Sequence, residues 1–273
     1  MLREHKKIKK GVMRITSLNE RWYRQSVKNN GKVEYVYYPS STWISGYYPK
    51  GEYFHKWLAG KGWSEIEAIK QAAADKGSRV HWACEMIDRG KEIKITEKFK
   101  NPSTGKQEDL SKEEVDCIMS YIEFLDEMKP KLLAQEITSF GDVYAGTADK
   151  VFLMNGEIWI VDLKTSQSIW PEQELQISSY SHMEFEWKKW GITDNQWKNR
   201  KLAILQIGYK KNKKRYKFTE VQDKYHLFRN VAYKIWKNEN PDFKPKERDY
   251  PLVLFSKLRR SETLRLRSGQ VKK

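Results

Sequence analysis

A two-residue turn, Asn155-Gly156, sits between two runs built for strands. Residues 143–154 read Val-Tyr-Ala-Gly-Thr-Ala-Asp-Lys-Val-Phe-Leu-Met, and residues 157–164 read Glu-Ile-Trp-Ile-Val-Asp-Leu-Lys. Asn-Gly between β-branched and aromatic residues is the strongest short-range hairpin signal, because a type I′ turn needs positive φ at both central positions. The turn fixes a register. Met154 faces Glu157, and counting outward sets Asp149 opposite Asp162. Directly opposed residues share a face, with Cβ atoms about 4.5–5.5 Å apart. Lys164, two residues past Asp162, points to that face as well. Two facing acids repel, and a divalent cation held by both removes the penalty. The spacing predicts a metal-binding pair of aspartates with a lysine beside it.

Taken alone, Asp-x-Lys is an ordinary surface ion pair. Here Val161 and Leu163 are apolar, and Ile158 and Ile160 share the face of Asp162. An acid on such a strand is at least partly buried, where unpaired charge is costly. Carboxylate oxygens suit Mg²⁺ or Mn²⁺, one ion or two.

Composition narrows the partners. The 273 residues carry 52 Lys and Arg against 36 Asp and Glu, a net charge of +16, which favours a polyanion such as nucleic acid. Cys84 and Cys117 are the sole cysteines, too few for a four-thiolate cluster or a disulfide framework. No apolar run approaches the roughly 18 residues of a membrane span, and the N-terminus lacks the apolar stretch of a signal peptide. The expectation is a cytoplasmic, reducing setting and no membrane partner.

Along the chain, residues 1–30 read as a basic arm or a first short strand, and residues 33–48 carry strand-like spacing before a Pro39-Ser40-Ser41-Thr42 cap. Ser64 with Glu67 and Ser111 with Glu114 match capping boxes, the first opening a helix to about Arg89. Leu132–Thr138 is a strand, a helix enters at Pro171, Lys201–Tyr209 is a buried strand, and Val221–Trp236 is a helix. A strand–helix–strand crossover after a meander implies a central mixed sheet flanked by helices, an α+β fold. The expected organisation is a basic arm over 1–30, one domain over 31–243, and a basic tail over 244–273.

Four segments in order resemble the PD-(D/E)XK nuclease superfamily, in its RecB-like exonuclease branch, across about residues 40–210. They are Gly77-Ser78-Arg79-Val80-His81, Gly146-Thr147-Ala148-Asp149, Asp162-Leu163-Lys164-Thr165 and Gln176-Ile177-Ser178-Ser179-Tyr180. The resemblance implies a restriction-endonuclease-like core and a Mg²⁺- or Mn²⁺-dependent deoxyribonuclease acting on DNA ends. It implies Asp149, Asp162, His81 and the Leu163 carbonyl as metal ligands, Lys164 as the catalytic lysine, and Gln176 and Tyr180 as residues that shape the site and contact DNA. Many relatives hold an iron–sulfur cluster on four cysteines. This chain resembles the cluster-free, phage-exonuclease-like kind. A helicase or single-strand annealing protein, as a separate chain, is an expected partner.

Several residues carry two readings. Glu136 is either a further ligand or a surface acid on an edge strand. Glu85 either orients His81 or pairs with Arg89 one turn on. Lys210, Lys211, Lys213, Lys214 and Arg215 form either a nucleic-acid groove or a solvated hairpin loop. Trp43, Tyr47, Tyr48, Tyr53, Phe54 and Trp57 are stacking surfaces or core. Two functional alternatives share the residues: a structure-specific or restriction-type endonuclease, and a nucleic-acid-binding protein that does not cut.

Overall fold

A computed structural model describes residues 4–16, 20–100 and 105–245. The chain divides into two compact units, with the boundary between Tyr37 and Tyr38 and the larger unit spanning Tyr38–Phe243.

The first unit corrects the expected basic arm over 1–30. It holds a four-stranded antiparallel sheet, β1 (Glu4–Lys9), β2 (Val12–Thr16), β3 (Arg21–Asn29) and β4 (Lys32–Pro39), whose last residues cross into the second unit. The order along the sheet follows the chain. Apolar Val12, Ile15, Trp22 and Tyr23 are interleaved with the charges and buried, which gives these strands a reason to form. The β3–β4 turn is a second Asn-Gly pair, Asn30 at φ 49° and Gly31 at φ 78°. The expected 31–243 domain therefore loses residues 31–37 to this sheet. The basic tail lies outside the described residues from position 246 on.

The second unit opens with α1 (Ser41–Ser45), capped by the Ser40 hydroxyl on the Trp43 N–H, then α2 (Glu52–Lys61) and α3 (Trp63–Asp88). The Ser64/Glu67 pair is not a capping box. Gly62, at φ 78°, turns the chain straight from α2 into α3, so Ser64 already lies in the first turn. A two-residue ladder, β5 (Phe99–Lys100) with β6 (Gln107–Glu108), precedes α4 (Lys112–Met128). There the Ser111/Glu114 box forms in both directions.

The central sheet follows: β7 (Lys131–Phe140), β8 (Ala145–Met154), β9 (Glu157–Lys164), then α5 (Pro171–Ser181), a 3₁₀ turn (Trp187–Trp190), α6 (Asp194–Lys198), β10 (Lys201–Ile207) and β11 (Tyr216–Val221). Its order is β11-β10-β9-β8-β7. The pairings are antiparallel except β9 with β10, which is parallel across the α5 crossover. The mixed α+β class expected from the sequence is therefore the observed one. Strand β11 is an addition: Tyr216-Lys-Phe-Thr-Glu-Val alternates with period two but follows a dense basic run. The last helix starts later than Val221, as α7 (Tyr225–Leu227), a π turn (Phe228–Ala232) and α8 (Tyr233–Glu239).

One face of the sheet carries the main core. Phe152, Trp159, Val161 and Leu163 pack with Val80, Ala83 and Cys84 of α3 and Tyr121 and Phe124 of α4. By alternation Ile158, Ile160 and Asp162 turn to the other face, where α5 lies. Trp43 meets Trp236 edge-on at 5.2 Å and Tyr47 bonds Asn240, so both are packing residues rather than a substrate channel. The side chains of Tyr53 and Trp57 lie outside the description. Among the described residues, no helix is long and apolar enough to cross a membrane.

Candidate metal centre

The hairpin has the register its turn dictates. Asn155 at φ 51° and Gly156 at φ 81° make the two-residue loop, and pairing runs from Met154–Glu157 to Lys150–Val161. The next level outward is Asp149 opposite Asp162. On the other side of β8, the pairs Gln135–Lys150 and Ile137–Ala148 bracket Glu136 and Asp149. Glu136, Asp149 and Asp162 thus stand at one level across three adjacent strands.

At that level the ladder is replaced by side chains. A regular continuation would bond Leu163 to Ala148. Instead the Leu163 N–H donates to Asp149 Oδ2 at 2.8 Å, and the Leu163 carbonyl accepts from His81 Nε2 at 3.1 Å. A carbonyl only accepts, so Nε2 carries the proton. His81 Nδ1 then presents a lone pair 3.6 Å from Asp149 Oδ2. His81 comes from α3, across the fork where β8 and β9 part.

Ligand atoms of His81, Glu136 and Asp149 all lie within 4.8 Å of one another. Glu136 belongs directly to this cluster. It is held at φ 49°, a left-handed conformation that costs a non-glycine residue about 1–2 kcal/mol. Asp162 is not one of these three. It is fully buried, its Oδ1 accepts from Gln176 Nε2 at 3.3 Å, and its Oδ2 is ion-paired with Lys164. The Lys164 ammonium is thus the polar partner of that oxygen. Lys164 and His81 are partly exposed and Glu136 is exposed, so the site opens to solvent.

Burial dominates the electrostatics. It pushes Asp162 up to about 6; Lys164 opposes the rise and Asp149 adds to it. Asp149 is raised by burial against the pull of Lys164 and the Leu163 N–H. His81 falls to about 4, through burial and then the charge of Lys164, and is neutral at physiological pH. Burial lowers Lys164, but Asp162 and Asp149 outweigh it and the ammonium is held above its usual value.

The remaining expected residues divide. Gln176 and Tyr180 reach the site: Gln176 bridges Asp162 and the Tyr180 hydroxyl, the latter at 2.6 Å. Tyr180 is buried, so it shapes the site and offers DNA no surface. Its ring explains Gly146, since a Cβ there would stand 2.7 Å from Tyr180 Cε1. Glu85 does not orient His81. It pairs with Arg89 one turn along α3, while His81 is held by Leu163 and Asp149. In the basic loop, Lys210 pairs with Glu113, Lys214 with Glu127 and Arg215 with Asp116, all acids of α4. The expected groove is to that extent neutralised from within. Lys211 and Lys213 are exposed and make no ion pair among the described residues.

One buried group adjoining the site was not singled out from the sequence. Lys150, 1% exposed, pairs with Asp88, 4% exposed, and donates to Gln135 Oε1 at 2.7 Å. The Tyr121 hydroxyl donates to Asp88 at 2.9 Å. Alternation carries the signal, because it puts Lys150 on the apolar face with Phe152 and Met154. Through this pair α3 is anchored to β8 beside Asp149, two turns from His81 on the helix.

No family model matches the chain, and no curated protein matches it.

Proposed function

We propose that the chain is a divalent-metal-dependent deoxyribonuclease of the PD-(D/E)XK kind, an exonuclease hydrolysing phosphodiester bonds from DNA ends, with a restriction-endonuclease-like core in its larger unit. The observation that carries this reading is the row Glu136–Asp149–Asp162, flanked by neutral His81 and cationic Lys164.

The donor set fits Mg²⁺ or Mn²⁺: carboxylate oxygens with one imidazole nitrogen. Stacking three acids at one level of a sheet is unfavourable without a counter-charge beyond Lys164. Glu136, Asp149 and His81 would hold the ion, with Asp162 facing Asp149 across the hairpin register and the Leu163 carbonyl bonded to His81. When bound, such an ion lowers the pKa of a water and offsets charge on a phosphate oxygen.

The chain's own groups do the rest. Lys164 stays protonated because Asp162 and Asp149 stabilise its charge, and from its partly exposed side chain the ammonium would neutralise a phosphate oxygen as charge grows there. Gln176, locked by Tyr180, fixes the Asp162 carboxylate.

The test is digestion of end-labelled linear DNA, single- and double-stranded, beside a covalently closed circle, with Mg²⁺, Mn²⁺ or chelator. Linear DNA should be degraded only with metal, and the circle should survive. Lys164→Ala and Asp162→Ala should each lose at least about 10²-fold in rate. Full activity in either variant removes the site assignment. Cutting of the circle moves the enzyme to the endonuclease class.

A further inference from the structure

The charge surplus and the ion pairs are unevenly distributed. In the second unit the basic loop after β10 is tied to acids of α4. The first unit is different. Residues 1–37 contain ten Lys and Arg against three Asp and Glu. Of those acids, Glu20 accepts from Trp22 Nε1 and Glu34 from Asn29. Exposed Lys7, Lys9, Lys10, Lys28 and Lys32 form no ion pair among the described residues.

Register gathers part of this charge on one face. Lys7 pairs with Met13, and Met13 with Arg24, so the three lie in one row across β1, β2 and β3. Lys28, four residues from Arg24, shares their face. On β4 the alternate residues Val33, Tyr35 and Tyr37 join them: the Arg24 guanidinium lies 4.4 Å above the Tyr35 ring, and Trp22 meets Tyr37 edge-on at 6.4 Å. The inner end is closed by buried Trp22. The outer end is open, with Val33 56% and Tyr35 53% exposed.

We propose that this face of the β1–β4 sheet binds single-stranded nucleic acid, with Lys7, Arg24 and Lys28 on the phosphates and Tyr35, backed by Val33, stacking on a base. Lys7, Arg24 and Lys28 form no ion pair among the described residues, and such cations supply the complement to a polyanion. An exposed ring within a basic face is the sequence-tolerant platform that unpaired bases use, whereas a duplex hides its base faces. The inference adds to the cleavage reading and stands apart from it, because binding is read with metal removed.

The experiment uses the full chain in EDTA and follows fluorescence anisotropy of a labelled oligo(dT) 30-mer, a blunt duplex of equal length, and vesicles of phosphatidylserine and phosphatidylcholine. Tyr35→Ala should weaken oligo(dT) binding by about 5- to 100-fold, from the stacking worth of one base. It should leave duplex binding within about twofold, and Tyr35→Phe should retain parental affinity. Lys7→Gln with Lys28→Gln should flatten the slope of log K against log salt by about 0.7 for each phosphate left without its cation. Far-UV circular dichroism checks that each variant is folded. Unchanged oligo(dT) affinity in both sets of variants overturns the proposal. Equal losses on duplex and single strand for Tyr35→Ala overturn the single-strand assignment. Tighter binding to vesicles than to oligo(dT), abolished by the same substitutions, assigns the face to a lipid surface instead. Failure here leaves the cleavage assay untouched, and loss of cleavage leaves this binding assay intact.

Discussion

Asp149 takes the Leu163 N–H at 2.8 Å, one level beyond the last backbone pair of the hairpin. His81 takes the carbonyl of the same residue. Two candidate ligands therefore stand in for a strand, and both are fixed by backbone that belongs to the sheet. A site assembled this way holds two buried carboxyls, Asp149 and Asp162, both raised above the usual carboxylate range by burial.

Metal affinity should depend on pH through those carboxylates. Asp162 rises to about 6 from 3.8, so the metal-free fold gains its full contribution below the unfolded value and loses it as pH climbs through 6. His81 has the opposite sign: lowered to about 4 from 6.5, its contribution is complete above 6.5 and disappears as pH falls through 4. Above pH 5 the protons competing with a cation come from the carboxylates. Mn²⁺ should bind about tenfold more weakly at pH 5 than at pH 7.5, with proton release on binding. Calorimetry in two buffers of different ionisation enthalpy measures both, and a flat profile rejects the buried-carboxylate picture.

Glu136 combines strain with ligation, and two substitutions separate them. Glu136→Gly and Glu136→Ala should both weaken Mn²⁺ binding. Glu136→Gly should be the more stable of the two by about 1 kcal/mol in urea, because alanine at φ 49° keeps the left-handed penalty. Equal stabilities would mean that the backbone relaxes there at no cost.

The Lys150–Asp88 pair should be costly to halve and cheap to remove. Lys150→Met or Asp88→Leu alone leaves a buried charge unmatched and should cost about 3–5 kcal/mol. The double variant should recover at least half of the summed loss, a coupling readable in a denaturant double-mutant cycle. Additive losses would show that the two charges do not depend on each other.

Gly146→Ala should act on the site through Tyr180. The new methyl meets the buried ring at 2.7 Å and must displace it, at about 1–3 kcal/mol. Tyr180 then loses its hold on Gln176, and Gln176 on Asp162. Melting temperature and cleavage rate should fall together. Adding Tyr180→Leu should restore the melting temperature and not the rate. A Gly146→Ala protein that melts and cuts like the parent would show that the ring yields freely.

Short-range geometry is legible in the order of residues alone. Asn155-Gly156 sets the β8–β9 register, and with it the facing of Asp149 and Asp162 and the position of Lys164. Ser111 and Glu114 set the start of α4, and the Gln176–Tyr180 spacing puts both on one helix face. Features that depend on partners distant in the chain emerge only on folding. Glu136 enters the cluster only once β7 pairs with β8 and twists into a left-handed residue. Lys150 is tolerable on the core face only because Asp88 arrives from α3. The loop cations at 210–215 meet acids of α4 nearly a hundred residues earlier, and a basic N-terminus becomes a sheet once its scattered apolar residues find a common side. Local backbone sterics act within a few residues and can be read from a string; neutralising a buried charge requires knowing what lies across the fold.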